Sequence, residues 1–182
     1  RYHQQTMHSG SPQPMMNSGA NAANKAMATS MLSSPVNTLM QMDQPYLPLT
    51  YGSTISQVAR SKYSTWNDTV RDIVILANPS LKGNLSNGKV NQRIYLPNIH
   101  KDDLLTRADN GAWYVYAGTY ESMNRANRTV QHLASIGFNA FMQEQPRYEF
   151  VVYRLFIGPF TSIREASMAT DSLQLDAMPF VR

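Results

Sequence analysis

The 182-residue sequence predicts an α+β protein: a βααβ unit and a βαββαβ unit in series, behind a tail without fixed structure. Three observations predict this. One phrase is written twice, "GTYESMNRA" at Gly118–Ala126 and "GPFTSIREA" at Gly158–Ala166, with glycine, aromatic, serine and alanine at the same offsets. Runs that alternate apolar and polar residues stand beside runs with apolar residues three and four apart, so strands and helices interleave. The first 45 residues are rich in Gln, Asn, Ser, Ala and Met and hold no aliphatic β-branched residue before Val36. Such a composition buries too little apolar surface to offset chain ordering.

Residues 1–44 are therefore read as a low-complexity tail. Ala20, Ala23, Met27 and Met31 fall at helical spacing ahead of Pro35. That segment is expected to be a transient helix or a docking peptide whose methionines adapt to a partner.

From residue 45 the texture changes. "LPLTYGSTISQVARSKY" reads as an extended piece, a turn at Tyr51-Gly52 and a helix capped by Ser53 or Thr54, with Ile55, Val58 and Ala59 on its apolar side. "TVRDIVILANPSL" is a second helix with Val70, Ile73, Val74 and Ala77 on one face, stopped by Asn78-Pro79. "GKVNQRIYLPNI" alternates and closes the unit as a strand near residue 99. Residues 100–110, "HKDDLLTRADN", read as a charged linker or short bridging helix.

The rest, 111–182, explains the doubled phrase. "AWYVYAGTY" is a strand, Ser122 caps a helix lined by Ala126, Val130 and Leu133, and Gly137 ends it. "FNAFMQE" and "YEFVVYRLFIGPF" are the next strands. Ser162 caps a second helix, where Glu165 is expected to complete a capping box, and "AMPFVR" is a last short strand. Each copy of the phrase is then a strand-to-helix corner. The glycine lets the chain leave the sheet, the aromatic (Tyr120, Phe160) plugs the core, serine caps, and alanine lets the helix sit close. Alternation sends Trp113, Val115, Ala117, Tyr153, Leu155 and Ile157 to the helix side. It leaves Tyr114, Tyr116, Val152, Arg154 and Phe156 on an open sheet face.

Two resemblances follow from these residues. "YGSTISQVA", "ILANPSL" and "VNQRIYLP", in strand-helix-helix-strand order, resemble a LysM module, a small glycan-binding domain. Ser53 stands where that family usually has Asp, and the loops are longer. The resemblance implies a sugar groove at Gly52, Ser53, Thr54, Asn78, Pro79 and Leu81. "VYAGTY" at Val115–Tyr120 and "YRLFIGPFTSIREA" at Tyr153–Ala166 resemble the SPOR domain, a ferredoxin-like (RNP-like) module by which bacterial envelope proteins bind peptidoglycan. That resemblance implies glycan or partner binding on the face of Tyr114, Tyr116, Val152, Arg154 and Phe156. Tyr116 and Phe156 depart from it, standing where the family usually has polar residues; aromatics there suit sugar stacking and protein anchoring alike.

Composition narrows the function. The net charge is +4, distributed as +1 over residues 1–45, +3 over 46–110 and zero over 111–182. An RNA-recognition module shares the βαββαβ order but would concentrate positive charge on its sheet unit, so that reading ranks last. The chain has no cysteine, which excludes disulfides, thiolate metal sites and cysteine nucleophiles. His3, His8, His100 and His132 lack metal spacing, and Asp102-Asp103 form an adjacent, diverging pair. No enzyme, metal or cofactor is expected. No apolar run is long enough to span a bilayer, and no export signal opens the sequence.

The two resemblances together imply a non-catalytic peptidoglycan-binding protein of the Gram-negative periplasm, associated with the cell wall or outer membrane. Its expected partners are glycan strands and other envelope proteins. It would serve as a structural part of an envelope-spanning assembly, such as a secretion system or pilus outer-membrane complex, or else act on denuded glycan at the division septum.

Overall fold

The computed structural model describes the backbone of residues 46–48 and, in full, residues 52–86, 88, 89 and 91–173. The docking segment expected in the tail and the last strand expected in "AMPFVR" lie outside the described residues.

The first unit has the expected order. Strand β1 (Tyr46–Pro48) pairs antiparallel with β2 (Arg93–Tyr95), Leu47 opposite Ile94. Helix α1 (Ile55–Tyr63) starts on a full capping box: Thr54 Oγ1 accepts from Gln57 N (3.2 Å) and Gln57 Oε1 accepts from Thr54 N (2.9 Å). Helix α2 (Asp68–Ala77) starts at Asn67, whose side chain accepts from Val70 N at 2.9 Å. A single tight turn, Pro79–Leu81, follows it.

Residues 100–110 are more ordered than a linker. Lys101–Leu104 form a short 3-10 turn, and β3 (Leu105–Arg107) pairs antiparallel with the first strand of the second unit. Leu104 is fully buried. A three-residue strand carries too little alternation to be read among the charges around it.

The second unit comprises β4 (Trp113–Tyr120), α3 (Met123–Ser135), β5 (Ala140–Arg147), β6 (Phe150–Phe160) and α4 (Ile163–Ser172). Its sheet order is β3-β4-β6-β5, antiparallel throughout. Ala126, Leu133, Ala166 and Ala169 bury the helices against one face, at whose edge Trp113 lines an open cleft with Ile163 and Met168 of α4.

Both corners form as the doubled phrase requires. Ser122 and Ser162 cap α3 and α4, accepting from Arg125 N and Glu165 N. The expected box at α4 differs: Glu165 Oε2 accepts from Thr161 N (3.1 Å) and Thr161 Oγ1 (2.8 Å), closing on the residue before the cap. Gly158 is needed for proximity as well as freedom. At φ 141°, a Cβ there would lie 2.8 Å from the Trp113 carbonyl oxygen and 2.9 Å from the Tyr114 ring.

Buried residues of both units join in one hydrophobic cluster, from Ile55, Ala59, Ile73 and Val74 through Leu96, Ile99 and Leu104 to Val115, Leu155 and Ile157. The two units are packed as one body.

Candidate functional site

The site is built by alternation, modified where β4 shifts register against β6, between Trp113 and Val115 and again between Tyr116 and Gly118. Tyr116 stands opposite Phe156, but the next pair is Gly118 with Leu155, so Ala117 is an extra residue in β4. The slip brings Thr119 opposite Arg154, onto the face of Tyr116. Strand β5 adds Phe141 opposite Phe156 and Gln143 opposite Arg154, with Gln145 and Arg147 further along.

This face has an aromatic part and a polar part. Phe141 stacks on Phe156 with centroids 5.7 Å apart, Tyr114 meets Phe141 edge-on at 5.7 Å, and Tyr116 lies 5.8 Å from Phe156. The Arg154 guanidinium lies 5.4 Å from the Tyr116 ring centre and 5.2 Å from that of Phe156. Its Nη1 donates to Gln145 Oε1 at 3.0 Å, an oxygen that also accepts from Arg147 Nη1 at 3.2 Å. Arg154 Nε and Nη2 have no hydrogen-bond partner among the described residues. Burial pulls the Arg154 pKa down, with Tyr116 and Asp72 opposing. Burial likewise pushes the Tyr116 hydroxyl up, beyond the ordinary tyrosine range, with Asp72 adding to it.

Alternation places the five predicted face residues together, as expected. It does not leave them open. Tyr114 is 6% exposed, and Tyr116, Val152, Arg154 and Phe156 are at 1% or less. Helix α2 of the first unit lies over part of this face. Strand β3 pairs only as far as Val115, so no strand among the described residues covers the outer edge of β4 at Thr119. There Thr69 Oγ1 accepts from Thr119 N (3.0 Å) and donates to the Thr119 carbonyl (3.3 Å). Tyr116 hydroxyl bonds Thr119 Oγ1, which donates to Asp72 Oδ2 (3.1 Å), and Arg147 Nε donates to Asp72 Oδ1 at 2.7 Å. At the helix start, Asp68 accepts from Glu121 N (3.0 Å) and Arg125 (3.2 Å), and also pairs with Arg71.

Sequence reasoning missed Thr119, Arg147, Asp68, Thr69 and Asp72 as members of this site. The available signal was in α2: eight of its ten residues are buried, including Asp68, Thr69 and Asp72. "DTVRDIVILA" has no broad polar stripe, the mark of a helix covered on more than one side.

The expected sugar groove of the first unit fares differently at its two ends. Gly52 and Thr54 are exposed and Ser53 half-buried, at the cap of α1. Asn78 is buried: its amide donates to the carbonyls of Val74 (2.8 Å) and Tyr95 (2.9 Å), and its oxygen accepts from Tyr95 N (2.7 Å). It clasps β2 to the end of α2 and has little capacity left for a ligand. Leu81 is core, 4% exposed, while Pro79 is exposed and its carbonyl accepts from Tyr148 hydroxyl at 3.3 Å.

A helix-backed antiparallel sheet with an aromatic and cationic face, and corners written as "YAGTY" and "IGPF", defines a small binding module of the split βαβ class. Residues 109–182 match the SPOR domain family model, and this part of the chain is a SPOR domain. The match implies a peptidoglycan-binding, non-catalytic module in this part of the chain. No curated protein and no solved structure matches the chain. Among the described residues, no helix is long and apolar enough to cross a membrane.

Proposed function

We propose that this is a non-catalytic peptidoglycan-anchoring protein of the Gram-negative periplasm, a structural component of an envelope-spanning assembly of the secretion-system or pilus type. The SPOR sheet carries the glycan contact through Tyr114, Tyr116, Val152, Arg154 and Phe156. The observation that supports this reading is Arg154. Its two donor nitrogens without a partner among the described residues, set beside aromatic rings, suit a polymer of N-acetylated sugars whose lactyl groups carry carboxylates. The first unit, LysM-like by its sequence, serves as a structural partner of the SPOR domain. Asn78 and Leu81 are committed to its own fold, and α2 is committed to the sheet. A body made of two packed units, with a long tail of low charge, suits a building block of a larger complex.

Sedimentation with purified peptidoglycan stripped of its stem peptides tests the anchoring role. The full chain is expected to pellet with it. A chain that stays in the supernatant both as the native protein and with α2 loosened by Asp72→Asn would overturn the proposal.

A further inference from the structure

The contact between α2 and the sheet face is made in good part by polar ties. The α2 side chains that hydrogen-bond the sheet unit are Asp68, Thr69, Arg71 and Asp72, on a helix whose Val70, Ile73 and Val74 lie in the hydrophobic cluster. One of these ties, Arg71 with Glu121, joins side chains that both reach water, and such a pair contributes little. The buried pair of Asp72 with Arg147 gains in attraction roughly what it loses in hydration. Arg154 argues most strongly. A permanent interface satisfies the polar groups it encloses, because each bare donor costs free energy. Here a guanidinium 1% exposed keeps two donor nitrogens without a partner among the described residues while the face is closed.

We propose that α2 is an intramolecular competitor for the SPOR sheet face: the first unit, docked through α2, holds the face closed, and a glycan strand reaches Arg154, Tyr116 and Phe156 only when α2 lifts away. This rests on the peptidoglycan reading above and adds its regulation. Water or ligand oxygens take the bare Arg154 donors in the open form, and Thr69 and Asp72 take Thr119 and Arg147 in the closed one. Whatever pulls the first unit aside switches the anchor on.

The geometry supplies a lock. A Cβ at Gly83, in the loop after α2, would lie 3.4 Å from the Cβ of Tyr148 on the β5–β6 turn. That is close to the ~3.5–4.5 Å of a disulfide. The native chain has no cysteine, so a Gly83→Cys/Tyr148→Cys pair can bond only with itself within one molecule. The full chain carrying the pair is sedimented with denuded peptidoglycan, oxidised and reduced, beside the native protein and Asp72→Asn. The reduced form carries the same two substitutions, so it controls for their strain. Expected is at least a tenfold loss of retention on oxidation, recovery on reduction, and a several-fold gain for Asp72→Asn. Equal retention of the oxidised and reduced forms would overturn the cover and leave the peptidoglycan reading standing. If no form is retained, including Asp72→Asn, both fail.

Discussion

Arg154 concentrates the physical tension of this molecule: a cation under cover, with one amide oxygen and two ring faces around it. Replacing such a group by an apolar residue of similar length is often neutral or stabilising. Arg154→Met is therefore expected to leave folding stability unchanged or raise it by about 1–3 kcal/mol, read from the urea midpoint. The same substitution should abolish retention on denuded glycan. A strongly destabilised variant would mean that the guanidinium is better satisfied than its bonds indicate. Tyr63 sets a different test. Its hydroxyl donates to the Pro97 carbonyl at 2.6 Å, and burial raises its pKa above the ordinary 10.0. A group whose folded pKa is raised contributes stability that is complete below the unfolded value and lost as pH rises through the folded one. Above pH 10 the unfolded chain gives up the proton that the folded chain keeps, so stability should fall, by about 1.4 kcal/mol per pH unit for this one group. Tyr116 is raised in the same direction and adds to the slope. Denaturation midpoints between pH 8 and 11 check this, and Tyr63→Phe should flatten the fall.

Among elements, the corners carry the clearest local physics. Gly158→Ala combines a backbone conformation that L side chains avoid with a Cβ 2.8 Å from the Trp113 carbonyl oxygen. It is expected to cost about 2 kcal/mol or more, since strain and a backbone clash add, and thermal melting reads the loss. The corners were legible because their signals are local: Ser122 and Ser162 cap the helices that the sequence assigns them, and of the two caps open for α1 the structure uses Thr54. Strand alternation was legible too, and it correctly grouped Tyr114, Tyr116, Val152, Arg154 and Phe156. What alternation could not carry was the slip at Ala117, because an inserted residue changes which side chains share a face without altering composition. Thr119 reached the site through that slip. Strand β3 escaped because three residues among charges give no period.

At the scale of the whole molecule, the sequence gives two units and the structure gives one body. The difference lies in a helix that packs in two directions. Val70, Ile73 and Val74 belong to the hydrophobic cluster, while Thr69 and Asp72 reach to Thr119 and Arg147 of the sheet unit. Binding partners chosen by shape and hydrogen bonding, across 50 residues for Thr69 and Thr119, leave no periodic trace in the chain. The docked helix is also what makes the face conditional. Two backbone amides report on it directly, because Thr119 N–H donates to Thr69 Oγ1 and Glu121 N–H donates to Asp68 Oδ2. Hydrogen exchange at these two amides in the full chain, with Thr69→Ala for comparison, is the most direct test of the docking of α2 on the SPOR sheet. Protection at both positions in the native protein, lost selectively at Thr119 in the variant, is the predicted result. Exchange at both amides in the native protein as fast as in an unfolded chain would contradict it.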